Sequence, residues 1–238
     1  MRENEFYNTI WKRKSTGNEM DIEEGRETEA LKLIGKGDVL LDVGCGRGRI
    51  SDLVKDRFNQ IIGLDISLTG LSLASKKMTA IQSNLNQAAI PLKDQSVDAV
   101  VCLDVIEHLF DPLHLVEEAG RVLKDNGEFI LSTPNTRFIG HISNLLFRGT
   151  APKTSMDIEG YDGGHLHYFT FADLKEILTK SNFSIVAENG FSMRFYNSNK
   201  LRLFYLFSKL WEKEGLKEFF CQGLLIKAKK EKLHHYSS

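Results

Sequence analysis

Two sets of residues in this sequence have the types and spacing to do chemistry. One is Asp42-Val-Gly-Cys-Gly-Arg-Gly48, in which three glycines spaced G-x-G-x-G follow an acid. Without Cβ atoms, such a turn adopts backbone angles closed to other residues and lets a ligand press against the main chain. The other set is titratable: Asp104, Glu107 and His108 in one short run, and His165 and His167 in a later one. An imidazole, with an ordinary pKa of about 6.5, can take the proton of a hydroxyl nucleophile near neutral pH. The plainer roles are loop ordering for His108 and loop packing for His165 and His167.

The elements that must position these groups follow from hydrophobic period. Val39, Leu40, Leu41 and Val43 form a buried strand ahead of the glycines, and Ile50, Leu53 and Val54 share one face of the helix after them. Gln60–Asp65 is a short apolar strand ending in an acid, with Ser67 placed to cap a helix over 68–77. Thr79–Gln82 and Ser96–Leu103 read as the third and fourth strands. Asp111-Pro112 opens a helix with Leu115, Val116, Ala119, Val122 and Leu123 on one face. Lys124–Gly127 reads as a turn, and Glu128–Thr133 as a fifth strand ended by Pro134. This alternation predicts a mainly parallel sheet with helices on both faces. Asp104–His108 then falls at the carboxyl edge of the sheet, where such folds bind ligands.

Beyond the fifth strand, Phe138–Phe147 reads as a helix and 148–164 as a turn-rich loop of the lid or binding type. A helix over 171–180 capped by Thr170, a strand at Asn182–Glu188, an aromatic-rich helix at Lys200–Lys213 and a last strand at Phe219–Lys229 complete the chain. Leu201–Trp211 suits core or dimer packing, a hydrophobic substrate wall or a membrane surface. Upstream, Glu23–Ile34 is a helix that either covers the ligand or packs on the sheet. Residues 1–37 thus form an N-terminal helical cap and 38–238 the main domain, with 137–170 and 191–218 as substrate-side insertions.

The 238 residues suit one medium α/β domain with a small appendage. The net charge of −1 implies no broad attraction to nucleic acid. Cys45, Cys102 and Cys221 are odd in number and far apart, as expected of reduced thiols in a reducing compartment. The N-terminus lacks an apolar core of signal-peptide length, and no run approaches the roughly 18 apolar residues of a membrane span. A cytoplasmic protein, monomeric or homodimeric, is expected.

A strand–glycine turn–helix serves two cofactor classes. Dinucleotide enzymes use G-x-G-x-x-G, and Arg49 stands where the third glycine belongs. S-adenosylmethionine needs no pyrophosphate cradle, and its amino group and sulfonium are complemented by an acid near the turn. Asp42–Gly48 resembles motif I of the class I S-adenosylmethionine-dependent methyltransferases. Asp65 matches the acid with which that family binds the ribose diol, and Ser83-Asn84-Leu85 sits where Gly-Asp-x contacts adenine, with Asn84 replacing the usual acid. Pro91 with Val97-Asp98, and Asp104–Leu109, resemble later motifs of the same family.

The resemblance implies a Rossmann-like, doubly wound sheet of seven strands, the last inserted antiparallel. It implies donor contacts at Asp42, Gly44, Cys45, Gly46, Gly48, Asp65, Ile66, Asn84, Leu85, Leu103, Asp104 and His108. Asp104, Glu107, His108 and His165 also resemble the four-ligand divalent site of some ubiquinone-pathway and small-RNA 2′-O-methyltransferases, in which an ion would acidify a diol or catechol. His108, His165 and His167 are the expected catalytic residues. The expected reaction is methyl transfer to a small molecule, at oxygen. A non-catalytic donor-binding protein and an RNA methyltransferase are the alternatives, and an NAD-linked oxidoreductase is disfavoured by the missing glycine. Peripheral membrane contact stays open.

Overall fold

A computed structural model describes residues 2–16, 24–76, 78–155, 157–191 and 216–232. The strands are β1 Gly37–Val43, β2 Phe58–Asp65, β3 Thr79–Gln82, β4 Val97–Leu103, β5 Leu123–Pro134, β6 Phe183–Phe191 and β7 Gly223–Lys230. They form one sheet in the order β3-β2-β1-β4-β5-β7-β6. Neighbours from β3 to β5 pair parallel, and β7 enters antiparallel between β5 and β6. The expected seven-stranded, doubly wound architecture is therefore present.

Strand residues alternate between two apolar layers, because successive side chains on a strand point to opposite faces. Leu41, Val43, Ile62, Leu64, Val100, Cys102, Phe129 and Leu131 fill one layer. Leu40, Ile61, Ala99, Val101, Leu103 and Ile130 fill the other. Both faces of the central strands are covered, which explains their near-continuous apolar runs.

The helices are α1 Glu3–Thr16, α2 Glu24–Leu33, α3 Arg49–Val54, α4 Leu68–Ala74, α5 Pro112–Val122, α6 Ile139–Arg148 and α7 Phe171–Lys180. Ser67, Asp111 and Thr170 accept N–H hydrogen bonds at the starts of α4, α5 and α7, satisfying donors that a helix leaves open. The first helix, α1, lies in the stretch expected as an N-terminal helical cap, in which the sequence places a helix only at Glu23–Ile34. Lys124–Gly127 is part of β5 rather than a free turn. Asn126 there has φ 60°, and the β4 ladder shifts register between Val97 and Ala99. Leu123 ends α5 and begins β5. The helix expected at Lys200–Lys213 and most of the 191–218 insertion lie outside the described residues. The three cysteines are buried free thiols. Among the described residues no helix is long and apolar enough to cross a membrane.

Candidate active site

The carboxyl ends of β1, β2 and β4, the loop after β3, helices α1 and α2, and the loop after α6 enclose one cavity of about 310 Å³. β1 delivers Asp42, which is 4% exposed. Burial, then the nearby Asp65 and Glu27 carboxylates, push its carboxyl up to about 8. Gly44 follows with φ 71°, and a Cβ there would stand 2.2 Å from Val105 Cγ2. Gly46 has φ 51°, and its Cβ would meet Trp11 Cζ2 at 2.1 Å, so the indole of α1 lies directly over the turn. Gly44 and Cys45 line the cavity. Gly46 instead faces Trp11, and Gly48 forms the left-handed N-cap of α3.

Asp65 ends β2 and braces this turn. Its Oδ2 accepts the Gly46 N–H at 2.8 Å and its Oδ1 the Ser67 N–H at 2.7 Å. Burial raises its pKa against the lowering effect of these bonds. Arg49, which breaks the dinucleotide spacing, pairs its Nε with Glu27 Oε2 at 2.6 Å. Two acids and two guanidiniums (Asp42, Glu27, Arg26 and Arg49) thus surround one end of the cavity. Beyond Asp65, the wall is Ile66, Ser83, Asn84, Leu85 and Leu109.

The far side is built by the turn after β4. Glu107 is 1% exposed; its Oε2 accepts the Thr133 hydroxyl at 3.0 Å, while Oε1 has no hydrogen-bond partner. Burial, then Asp104, raise its pKa well above the usual carboxylate range. His108 Nδ1 lies 3.2 Å from the Gly164 carbonyl. A carbonyl only accepts, so this nitrogen carries the proton and Nε2 of the neutral ring keeps its lone pair. Burial, then His165, push the His108 pKa down to about 4. His165 packs 4.7 Å from His108, places Nδ1 2.7 Å from Thr154 Oγ1 and Nε2 3.9 Å from Glu107 Oε1, and is shifted down by burial. Glu107, His108 and His165 each offer a ligand atom within 4.8 Å of the others.

Two expectations are corrected here. Asp104 lines the cavity but stands outside that three-residue group. Its Oδ2 forms a 2.6 Å ion pair with Arg26 Nη1, and its Oδ1 accepts the Ser132 hydroxyl at 2.6 Å. His167 does not line the cavity. Its N–H donates to the Glu107 carbonyl at 3.0 Å and its ring tilts against Phe169, so it holds the loop.

The sequence offers 1–37 as a helical cap and 148–164 as a lid or binding loop, but not the residues with which they line the cavity. Glu3, Tyr7, Ile10, Trp11, Arg13 and Lys14 of α1 line the cavity together with Thr154, Ser155 and Asp157 of the loop. Tyr7 meets His108 edge-on at 5.7 Å, and Arg13 ties α1 to Asp157 at 2.7 Å and Glu159 at 2.8 Å. Asp162 organises the loop by accepting from the Thr154 and Ser155 N–H groups and the Tyr168 hydroxyl. One signal was available: Phe6, Tyr7, Ile10 and Trp11 stand at i, i+1, i+4 and i+5, one helix face.

Residues 21–188 match the family described as a methyltransferase domain. The chain belongs to the class I S-adenosylmethionine-dependent methyltransferases. A methyltransferase relative from Mycolicibacterium smegmatis, named as a probable S-adenosylmethionine-dependent methyltransferase, is 40% identical over 42% of this chain and 39% of its own length. A Vibrio cholerae ubiquinone biosynthesis O-methyltransferase is 27% identical over 68% of this chain and 66% of its own. The chain therefore spans less than two thirds of these relatives' lengths. Among solved structures, one from a complex between the Haloferax volcanii Trm112 methyltransferase activator and a methyltransferase overlays with TM-score 0.70 at 16% identity. It covers 99% of this chain and all of the other. A SAM-dependent methyltransferase of Archaeoglobus fulgidus gives 0.61 at 22% identity over 86% of this chain and 91% of its own. At these identities the overlays establish the fold.

The methyl donor of the family, S-adenosylmethionine, fits the donor half of the cavity. The acid–guanidinium set around Asp42 and Arg26 suits the zwitterionic amino-acid end of the donor. Asp65 has lone pairs beyond its two turn bonds for a vicinal diol. Ile66, Leu85 and Leu109 offer apolar walls for a planar base.

Proposed function

We propose that this protein transfers a methyl group from S-adenosylmethionine to the oxygen of a small-molecule acceptor. The observation carrying this is one cavity that joins the Asp42–Asp65–Asn84 wall to a Glu107–His108–His165 cluster built around the buried Glu107. Bound donor supplies an electrophilic methyl group. The protein's part is to hold it, align an acceptor and exclude water. Asp42, Asp65 and Arg26 orient the donor, while α1 and the loop after α6 roof the site. Without a bound cation, the acceptor hydroxyl donates to the His108 Nε2 lone pair, which fixes the attacking oxygen; a cation in the site would take that lone pair instead. With its pKa held near 4, His108 is a positioning acceptor rather than a strong base.

Glu107, His108 and His165 would hold a divalent cation. The unpartnered Glu107 Oε1 and the tautomer of His108 both suit coordination. Such an ion would supply the acidification of the acceptor hydroxyl that His108 alone does not. The oxygen target is supported by the Vibrio relative's name. Calorimetry with S-adenosylhomocysteine tests the donor, and mass spectrometry of reactions with phenol, catechol and amine panels tests the acceptor. Absence of heat sinks the donor assignment. Methylated amines without methylated phenols or catechols sink the oxygen assignment, and binding without any product favours a non-catalytic donor-binding protein.

A further inference from the structure

A purine bearing an exocyclic amino group presents N–H donors, so the pocket that reads it needs an open acceptor. In the loop after β3, the side-chain oxygens of Asn84 and Asn86 each already accept a backbone N–H. Asn84 Oδ1 accepts the Asn86 N–H at 3.0 Å, and Asn86 Oδ1 accepts the Phe110 N–H at 2.8 Å. The Asn84 carbonyl accepts the Gln87 and Ala88 N–H groups. What this end of the cavity has instead is Glu3 from α1. Its Oε2 accepts from Asn84 Nδ2 at 3.0 Å and its Oε1 from Asn86 Nδ2. A carboxylate has about four acceptor positions, and these amides occupy two of them.

We infer that Glu3 is the base-reading residue of the donor site, its carboxylate accepting the amino group of the donor's adenine. This rests on the donor assignment above. Asn84 and Asn86 are then positioning residues that aim the carboxylate, and base selectivity resides on α1 rather than on the sheet edge. The same helix is anchored by Asn8, which accepts from the Ser67 hydroxyl at 2.7 Å, and by Trp11 over Gly46. Recognition of the base therefore also holds the cover in place.

The test is isothermal calorimetry on the full chain with S-adenosylhomocysteine and S-inosylhomocysteine, whose 6-oxo group turns a lone pair toward Glu3. Wild type should prefer the adenine form by about tenfold or more, the range of a charge-assisted hydrogen bond. Glu3→Ala should weaken the adenine form by a similar factor, leave the inosine form within about threefold and so abolish the preference. Glu3→Gln keeps the side chain's size and carries the test if Glu3→Ala loosens α1. Its amide can donate to the 6-oxo group, so its preference should also vanish. A preference retained in both variants overturns this inference alone. Wild type binding neither nucleoside overturns the donor assignment together with it.

Discussion

Asp65 has two roles that one substitution can separate. In the unliganded protein its two oxygens hold the Gly46 and Ser67 N–H groups, and in the proposed complex the same carboxylate also accepts the ribose hydroxyls. Asp65→Asn keeps one carbonyl oxygen and turns an amide N–H2 toward the other backbone donor. A buried donor left without a partner costs about 1–3 kcal/mol. For a chain of this size that lowers Tm by roughly 2–12 °C, at about 2–4 °C per kcal/mol. Losing the charged acceptor from the diol should weaken the donor product about tenfold to a hundredfold. Thermal unfolding with and without S-adenosylhomocysteine reads both effects. At a concentration about 100 times the wild-type Kd, ligand adds about 2.7 kcal/mol to wild type, but only about 0.4 kcal/mol to a variant weakened a hundredfold. If Asp65→Asn unfolds at a lower temperature alone yet gains the full ligand increment, Asp65 braces the turn and does not touch the donor.

Three further outcomes are expected. Asp42 holds its proton up to about 8 and must release it to face the donor's amino group, so donor affinity should rise by up to about tenfold per pH unit below that value and level off above it. The stability of the unliganded chain runs the other way. The unfolded carboxyl titrates near 3.8, so this group's contribution is complete below that pH and is lost as pH climbs through about 8. Asp42→Asn should flatten both profiles in calorimetry and thermal melts; an unchanged slope rejects the role. Titration of the chain with Mg²⁺, Mn²⁺ or Zn²⁺ should give one site that Glu107→Gln weakens by about tenfold or more; wild type that takes up none of the three rejects the cation site. Arg13→Ala removes the ion pairs to Asp157 and Glu159, each worth about 1 kcal/mol or less and screened by salt. Release of S-adenosylhomocysteine, followed by stopped flow, should speed up by roughly threefold to tenfold at low ionic strength. Raising salt should reproduce that change in wild type but not in the variant, and equal salt dependence in both would show that the clasp does not gate release.

What the sequence made legible was whatever a local steric or periodic rule dictates. Gly44 could be read because φ 71° beside Val105 admits no side chain. The sheet could be read because Leu40/Leu41 and Val100/Val101 each put one residue into either apolar layer. Arg49 could be read only as a broken pattern, since the partner that explains it, Glu27, lies on a helix of weak periodicity. The bounds and contacts of α1 within the expected cap were hidden for the same reason: Ile10 is the buried apolar residue of a polar helix, and the helix is held by pairs far apart in sequence, such as Glu3 with Asn84 and Arg13 with Asp157. Grouping Asp104 and His167 with the other candidate residues rested on residue type and proximity to a motif, which say nothing about competing partners. Arg26 pairs with the Asp104 carboxylate, and the His167 ring packs against Phe169. The glycine turn and the acid that braces it are thus fixed by backbone geometry and visible in one dimension. The helix and loop that cover the cavity are fixed by long-range side-chain pairs, and these appear only when the chain is folded.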